Sequence, residues 1–216
     1  MSRKTFLKFF LLLLVFNINL VGLYSVSVKR STPSSSQNSL LLQVRKNLKN
    51  ASPFFLNFRQ QVFDDSDMIT EELGNILFVD INSVKWVYND PEYKVFLINK
   101  NKYEFYDKES NQLTKGRIKE NRQKWIWQIL FSNSIADEIV CHEEKKIISI
   151  KNKTDDIDLK VYIGRNGLPK KVFQQQGAGI KYIYFFENYK VKYKCKKNVF
   201  DLNLPKDVDI VNMERE

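Results

Sequence analysis

Between Phe54 and Tyr106, apolar and polar residues alternate with a period of two over three stretches, FFLNFRQQVF (54–63), NILFVDINSVKWVY (75–88) and YKVFLINKNKYEFY (93–106). Polar breaks fall at Asp64-Asp65-Ser66-Asp67, Asn89-Asp90-Pro91 and Asn99-Lys100-Asn101. Period two sends successive side chains to opposite faces, so the pattern predicts a β-meander with one unusually aromatic face. A face that apolar must be covered by helices, close on itself, or hold another apolar body.

The rest of the chain supplies the cover. SLLLQVRKNLKN (39–50) spaces Leu40 or Leu41, Val44 and Leu48 on one helical face and Arg45, Lys46 and Lys49 on the other, with Asn38 or Ser39 as cap and Pro53 as stop. Period two is lost over 116–139, and Gln123 to Phe131 reads as a short apolar helix carrying Trp125 and Trp127. Strand patterns return at 143–151, 155–164, 170–176, 180–194 and 198–205, with turn signals at Gly164-Arg165-Asn166-Gly167 and Gly177-Ala178-Gly179. The order helix, three strands, helix, about five strands predicts an α+β fold, one curved antiparallel sheet with helices on a single face.

A chain of 216 residues accommodates one domain of about 180 residues and an N-terminal appendage. Residues 1–27 read as an export signal, 28–38 as a disordered leader and 39–216 as the folded domain. The formal net charge is +10, and loss of Arg3, Lys4 and Lys8 with the signal leaves +7. The lysines are scattered along strands and turns without an arginine-rich helix, which fits a solvated surface with weak attraction to anionic membranes and excludes a nucleic-acid signature. Cys141 and Cys195 sit on candidate strands in a compartment that permits disulfides, and the sequence leaves both states open for them, paired or free.

Catalytic chemistry finds no foothold. His142 is the sole histidine, and its neighbours Cys141, Glu143 and Glu144 alternate faces on a strand, so they do not converge on a metal. No G-x-S-x-G, H-E-x-x-H, P-loop or G-x-G-x-x-G is present, and the acidic pairs Asp64-Asp65, Glu71-Glu72 and Asp155-Asp156 fall in turns or at strand ends. The expectation is a non-enzymatic protein with no catalytic residue, metal or cofactor.

Further positions fall in a recognisable order. After the leucine-spaced helix come Phe58, Gln60 and Val62 in an F-x-Q-x-V register, then Glu71 and Gly74, Trp86 twelve residues later, Tyr88 and Pro91, the pair Tyr106-Asp107 and Gln112. Phe200, Leu204, Pro205, Val208 and Ile210 close the series. From about Leu40 to Val211 the chain resembles the LolA-like family of lipoprotein carriers.

The resemblance implies an unclosed β-barrel whose first two helices form a lid over an apolar concavity for lipoprotein acyl chains. Asp80, Asn82, Val84, Trp86 and Tyr88 would then face the cavity from the second strand, Phe96 and Ile98 from the third, Phe58 and Val62 from the first, and Ile126, Trp127, Ile129 and Leu130 from the lid. The alternative is that these side chains pack into a filled core. The family carries an inward Arg followed by Pro at six and seven residues after the glycine, where this chain has Asp80 and Ile81. The family Arg latches the lid, so Asp80 becomes the candidate latch, able to accept hydrogen bonds only. The function implied is a monomeric periplasmic chaperone moving lipoproteins from the inner to the outer membrane, with an inner-membrane ABC-type release complex and an outer-membrane acceptor as partners. The alternative function is a non-enzymatic periplasmic lipoprotein sensor or adaptor on the same fold.

Overall fold

The computed structural model describes residues 39–118, 130, 138–152, 157–176 and 179–213. The expected signal, leader and second helix, the last with Ile126, Trp127 and Ile129, lie outside the described residues; of that helix only Leu130 is described.

Among the described residues, α1 (Ser39–Ala51) comes first, followed by β1 (Phe54–Asp64), β2 (Asp67–Asp80), β3 (Ser83–Asp90), β4 (Lys94–Asn99), β5 (Lys102–Asp107) and β6 (Gln112–Arg117). Then follow β7 (Glu138–His142), β8 (Ile147–Asn152), β9 (Ile157–Ile163), β10 (Pro169–Gln176), β11 (Ile180–Val191) and β12 (Asp209–Asn212). All belong to one sheet in the order β12-β6-β5-β4-β3-β2-β1-β11-β10-β9-β8-β7. β1 is the spine, paired antiparallel with β2 on one side and β11 on the other. The ends of the order, β12 and β7, do not pair, so the fold is the α+β unclosed barrel that the sequence predicts. β12 departs from the antiparallel rule by running parallel to β6.

β1 shows why the sheet has an inside. Phe54, Leu56, Phe58, Gln60 and Val62 are buried in strict alternation, and α1 lays Leu40, Leu41, Val44, Leu48 and Ala51 into the same core. Short polar contacts hold α1 at the β7–β10 end: Ser39 Oγ donates to Glu143, and Asn47 Nδ2 donates to the Gly167 carbonyl at 3.2 Å. Gly167 has φ +73°, and a Cβ there would sit 2.2 Å from Asn47 Nδ2, so only glycine permits both the turn and the docked helix.

The convex side is also covered. Leu77, Val95, Leu97, Tyr106 and Leu113 point away from the concave face by alternation and are nevertheless buried. The segment after β11 crosses this side from β3 to β6. Lys85 Nζ donates to the carbonyls of Val199 and Asp201 at 2.9 and 3.4 Å, and Asn111 Nδ2 donates to the Asp207 carbonyl at 3.1 Å before β12 begins. The strand expected at 198–205 is therefore a correction. Its alternating Phe200, Leu202 and Leu204 are half-buried on the sheet's outer surface, without ladder partners of their own.

The meander contains more strands than the pattern suggests. The stretch 75–88 is a hairpin, not one strand, because the chain reverses at Ile81–Asn82, where Asp80 Oδ1 accepts the Asn82 N–H at 2.7 Å in a short Asx turn. Apolar alternation continues on both sides of that turn and masks it.

Candidate functional site

The concave surface is a continuous sheet of rings. Phe58 meets Trp86 edge-on at 5.2 Å and Tyr88 at 5.1 Å, Trp86 lies 5.9 Å from Tyr184, and Phe96 stacks on Tyr103 at 6.3 Å. Phe54 and Phe78 stack at 4.8 Å with planes 11° apart. Pairs of this kind contribute about 0.5–1.5 kcal/mol each beyond the area they bury. Gly74 makes the centre possible: a Cβ there would stand 2.0 Å from the Val87 carbonyl and 2.6 Å from the Phe58 ring.

One end of this surface is polar and buried. Tyr88 donates from its hydroxyl to Gln60 Oε1 at 3.1 Å, Gln60 Nε2 donates to Glu72 Oε2 at 3.2 Å, and Lys94 Nζ donates to Glu72 Oε1 at 3.0 Å. Lys94 also pairs with Glu92 at 3.2 Å. Burial works to lower the Lys94 pKa, but the charges and hydrogen bonds of Glu72 and Glu92 outweigh it and the net shift is upward. Burial pushes the Tyr88, Tyr182, Tyr184 and Tyr189 phenols up, and Glu72 adds to the shift for the first three.

Arg45 Nε on α1 donates to the Leu130 carbonyl at 2.7 Å, and Leu130 itself is fully buried in the same core. Burial lowers the Arg45 pKa, yet a guanidinium stays charged, so this is a charge-assisted bond between α1 and the segment that carries Leu130.

The outer surface carries a different chemistry. Arg59, Phe185, Lys171 and Tyr162 are direct cross-strand neighbours on β1, β11, β10 and β9, with cations 4.1 to 5.6 Å from ring centres. Many basic residues thus shield outward aromatics, which accounts for charge scattered along strands. A cavity of about 680 Å³ lies on the convex side between Leu97, Lys100, Lys102, Glu104 and Lys115 of the sheet and Phe200, Leu202 and Leu204 of the crossing segment.

This geometry can be set beside known proteins. The family model described as "Outer membrane lipoprotein carrier protein LolA" matches residues 49–203. The chain belongs to the LolA family. An uncharacterized conserved protein of Thermus thermophilus shares its fold at 14% identity and a TM-score of 0.51, with 81% of this chain and 98% of that one covered. A LolA superfamily protein of Nitrosomonas europaea aligns at 7% identity and a TM-score of 0.49, covering 77% and 97%. An outer membrane lipoprotein-sorting protein domain of Vibrio parahaemolyticus aligns at 7% and 0.46, covering 77% and 96%. Comparison with curated proteins finds no match.

Of the residues that the LolA resemblance places in a cavity, Phe58, Val62, Val84, Trp86, Tyr88, Phe96, Ile98 and Leu130 are all on the inner side and buried, at 6% exposure or less. Phe58, Trp86 and Tyr88 touch one another ring to ring. Ile126, Trp127 and Ile129 lie outside the described residues.

The structure also places Asp80 and the two cysteines. Asp80 is exposed at the end of β2, where its Oδ1 accepts the Asn82 N–H, and it lies on a different strand from Val84, Trp86 and Tyr88. Cys141 and Cys195 form no disulfide; both are free thiols. His142 is exposed at the end of β7, and no cluster of metal-ligating side chains occurs among the described residues.

Sequence reasoning missed Tyr182, Tyr184 and Phe186 on β11, which face Val62, Gln60 and Phe58 across the ladder. Their run, IKYIYFFENY, has aromatics on both faces and hides the alternation. Arg45 and the Gln60–Glu72–Lys94 chain were also missed. The signal available for the latter was a polar residue at an inward position, Gln60 between Phe58 and Val62.

Proposed function

We propose that this LolA-family chain is a periplasmic chaperone that receives the acyl chains of lipoproteins between the concave sheet and α1 and moves them from the inner to the outer membrane. The observation that supports this reading most is the inner surface itself. Phe58, Val84, Trp86, Tyr88 and Phe96 form one apolar face on a sheet that does not close, in one core with α1 and Leu130.

The energetics favour a reversible binder. Sequestering sixteen methylenes in a dry interior is worth roughly 13 kcal/mol at about 0.8 kcal/mol each. Here the inner side chains are already buried against one another, so an entering chain must displace contacts of the same kind, and only the difference remains. Filled and empty states then lie within a few kcal/mol, and cargo can be handed over without ATP at this protein. Arg45 is a latch on α1. Its bond to the Leu130 carbonyl favours the covered state and resists premature loading. An inner-membrane ABC-type complex would load the carrier, and an outer-membrane acceptor would empty it.

Native mass spectrometry of protein purified from its own compartment tests this. A mass increment matching an acylated species, transferable to acceptor liposomes, is the expected result. A ligand that stays bound through transfer assays would favour the sensor or adaptor role. Protein that arrives empty and takes up no acylated peptide contradicts both.

A further inference from the structure

Among the described residues, two buried hydrogen-bond donors have no acceptor. Trp86 Nε1 and the Tyr182 hydroxyl are each on residues only 5% exposed, and among the described residues neither has a partner. Folded interiors leave few such groups, because an unmet donor forfeits the bonds it made to water. Both lie in one run of rings, since Tyr184 is 5.9 Å from Trp86 and 6.5 Å from Tyr182. The charges beside them are already spent, Lys94 on Glu72 at 3.0 Å and on Glu92 at 3.2 Å.

We propose that Trp86 and Tyr182 form a polar subsite that donates hydrogen bonds to the carbonyl oxygens of a neutral acyl ester or amide, so that the interior selects acylated molecules over free fatty acids and plain hydrocarbon. This rests on the acyl-chain reading above and adds to it which part of the ligand is recognised. An indole N–H only donates, so its partner must be an acceptor. Plain hydrocarbon leaves both donors unmet. An ionised carboxylate supplies acceptors but enters near Glu72, beside which Lys94 is already paired among the described residues, and burial disfavours the charge. A neutral carbonyl meets both conditions.

The test uses the full chain and three pyrene-labelled sixteen-carbon probes: a methyl ester, the free acid and the alkane. The wild-type protein is expected to bind the ester at least fivefold more tightly than either other probe at pH 7.5. Tyr182→Phe, which removes only the hydroxyl, is expected to weaken the ester about fivefold and the alkane less than twofold. Trp86→Phe also shrinks the ring, so it is read as the ratio of ester to alkane affinity, which is expected to fall by a similar factor. Unliganded Tyr182→Phe is expected to melt at the wild-type temperature or above. A lower melting temperature means the hydroxyl is already bonded within the protein and overturns the proposal. Equal affinity for ester and alkane, or equal loss of both, overturns it while leaving the acyl-chain reading intact. Failure of all three probes to bind overturns that reading as well.

Discussion

At the scale of single residues, the interior depends on one missing methyl group. Phe58 lies over Gly74, and its ring organises Trp86 and Tyr88 around it. Gly74→Ala forces that ring aside and is expected to lower stability by about 1–3 kcal/mol, read as a lower urea midpoint at unchanged slope. The buried Glu72 carries a larger stake. Glu72→Ala leaves Lys94 without its inner partner and is expected to cost about 3–5 kcal/mol. The buried phenols set the alkaline limit. Tyr88, Tyr182, Tyr184, Tyr189 and Lys94 all have raised folded-state pKa values, so the stability they contribute is complete below their unfolded values, near pH 10. It is lost as pH rises through the folded values. Phenolate absorbance and far-UV circular dichroism should therefore change together above about pH 10; phenolate appearing at ordinary pH with an intact sheet would contradict the burial. Most inner positions were readable because alternation makes Val84, Trp86 and Tyr88 share a face whatever the sheet's extent. Asp80 was not, because one turn at Ile81–Asn82 separates its strand from theirs.

At the scale of elements, α1 is the piece that must move for the interior to be filled. Arg45→Gln removes the charged donor to Leu130 and favours the uncovered state, so it is expected to tighten binding of an acyl probe by up to about tenfold while lowering the melting temperature of the empty protein. Weaker binding with unchanged melting would contradict a latch. The crossing segment makes the opposite kind of contribution. Phe200 is half-buried against the convex side, and Phe200→Ala should lower stability by about 1–2 kcal/mol without changing probe affinity. α1 was legible from its leucine spacing. β2 was not: its N-terminal half exposes Met68, Ile69 and Leu73 while burying Glu72, which inverts the expected pattern. The segment 198–205 misled in the other direction, because alternation reports a surface with two sides and not the presence of a ladder partner.

At the scale of the whole molecule, the sheet has two covered faces, and the function turns on which one takes a ligand. The inner face is lined by rings that share one core with α1; the outer one has a cavity of about 680 Å³ with lysines at its rim. The curved sheet with helical cover was readable because strand period and helix period alternate cleanly along the chain. That the inner rings meet one another was not, because periodicity assigns a face and says nothing of what fills the space above it. A long-chain acyl probe with a photoactivatable diazirine near its methyl end, crosslinked to the protein and mapped by peptide mass spectrometry, discriminates between the two faces. Label on Phe58, Val84, Trp86, Tyr88 or Phe96 is the predicted result; label confined to Leu97, Phe200 and Leu204, or none at all, would contradict it.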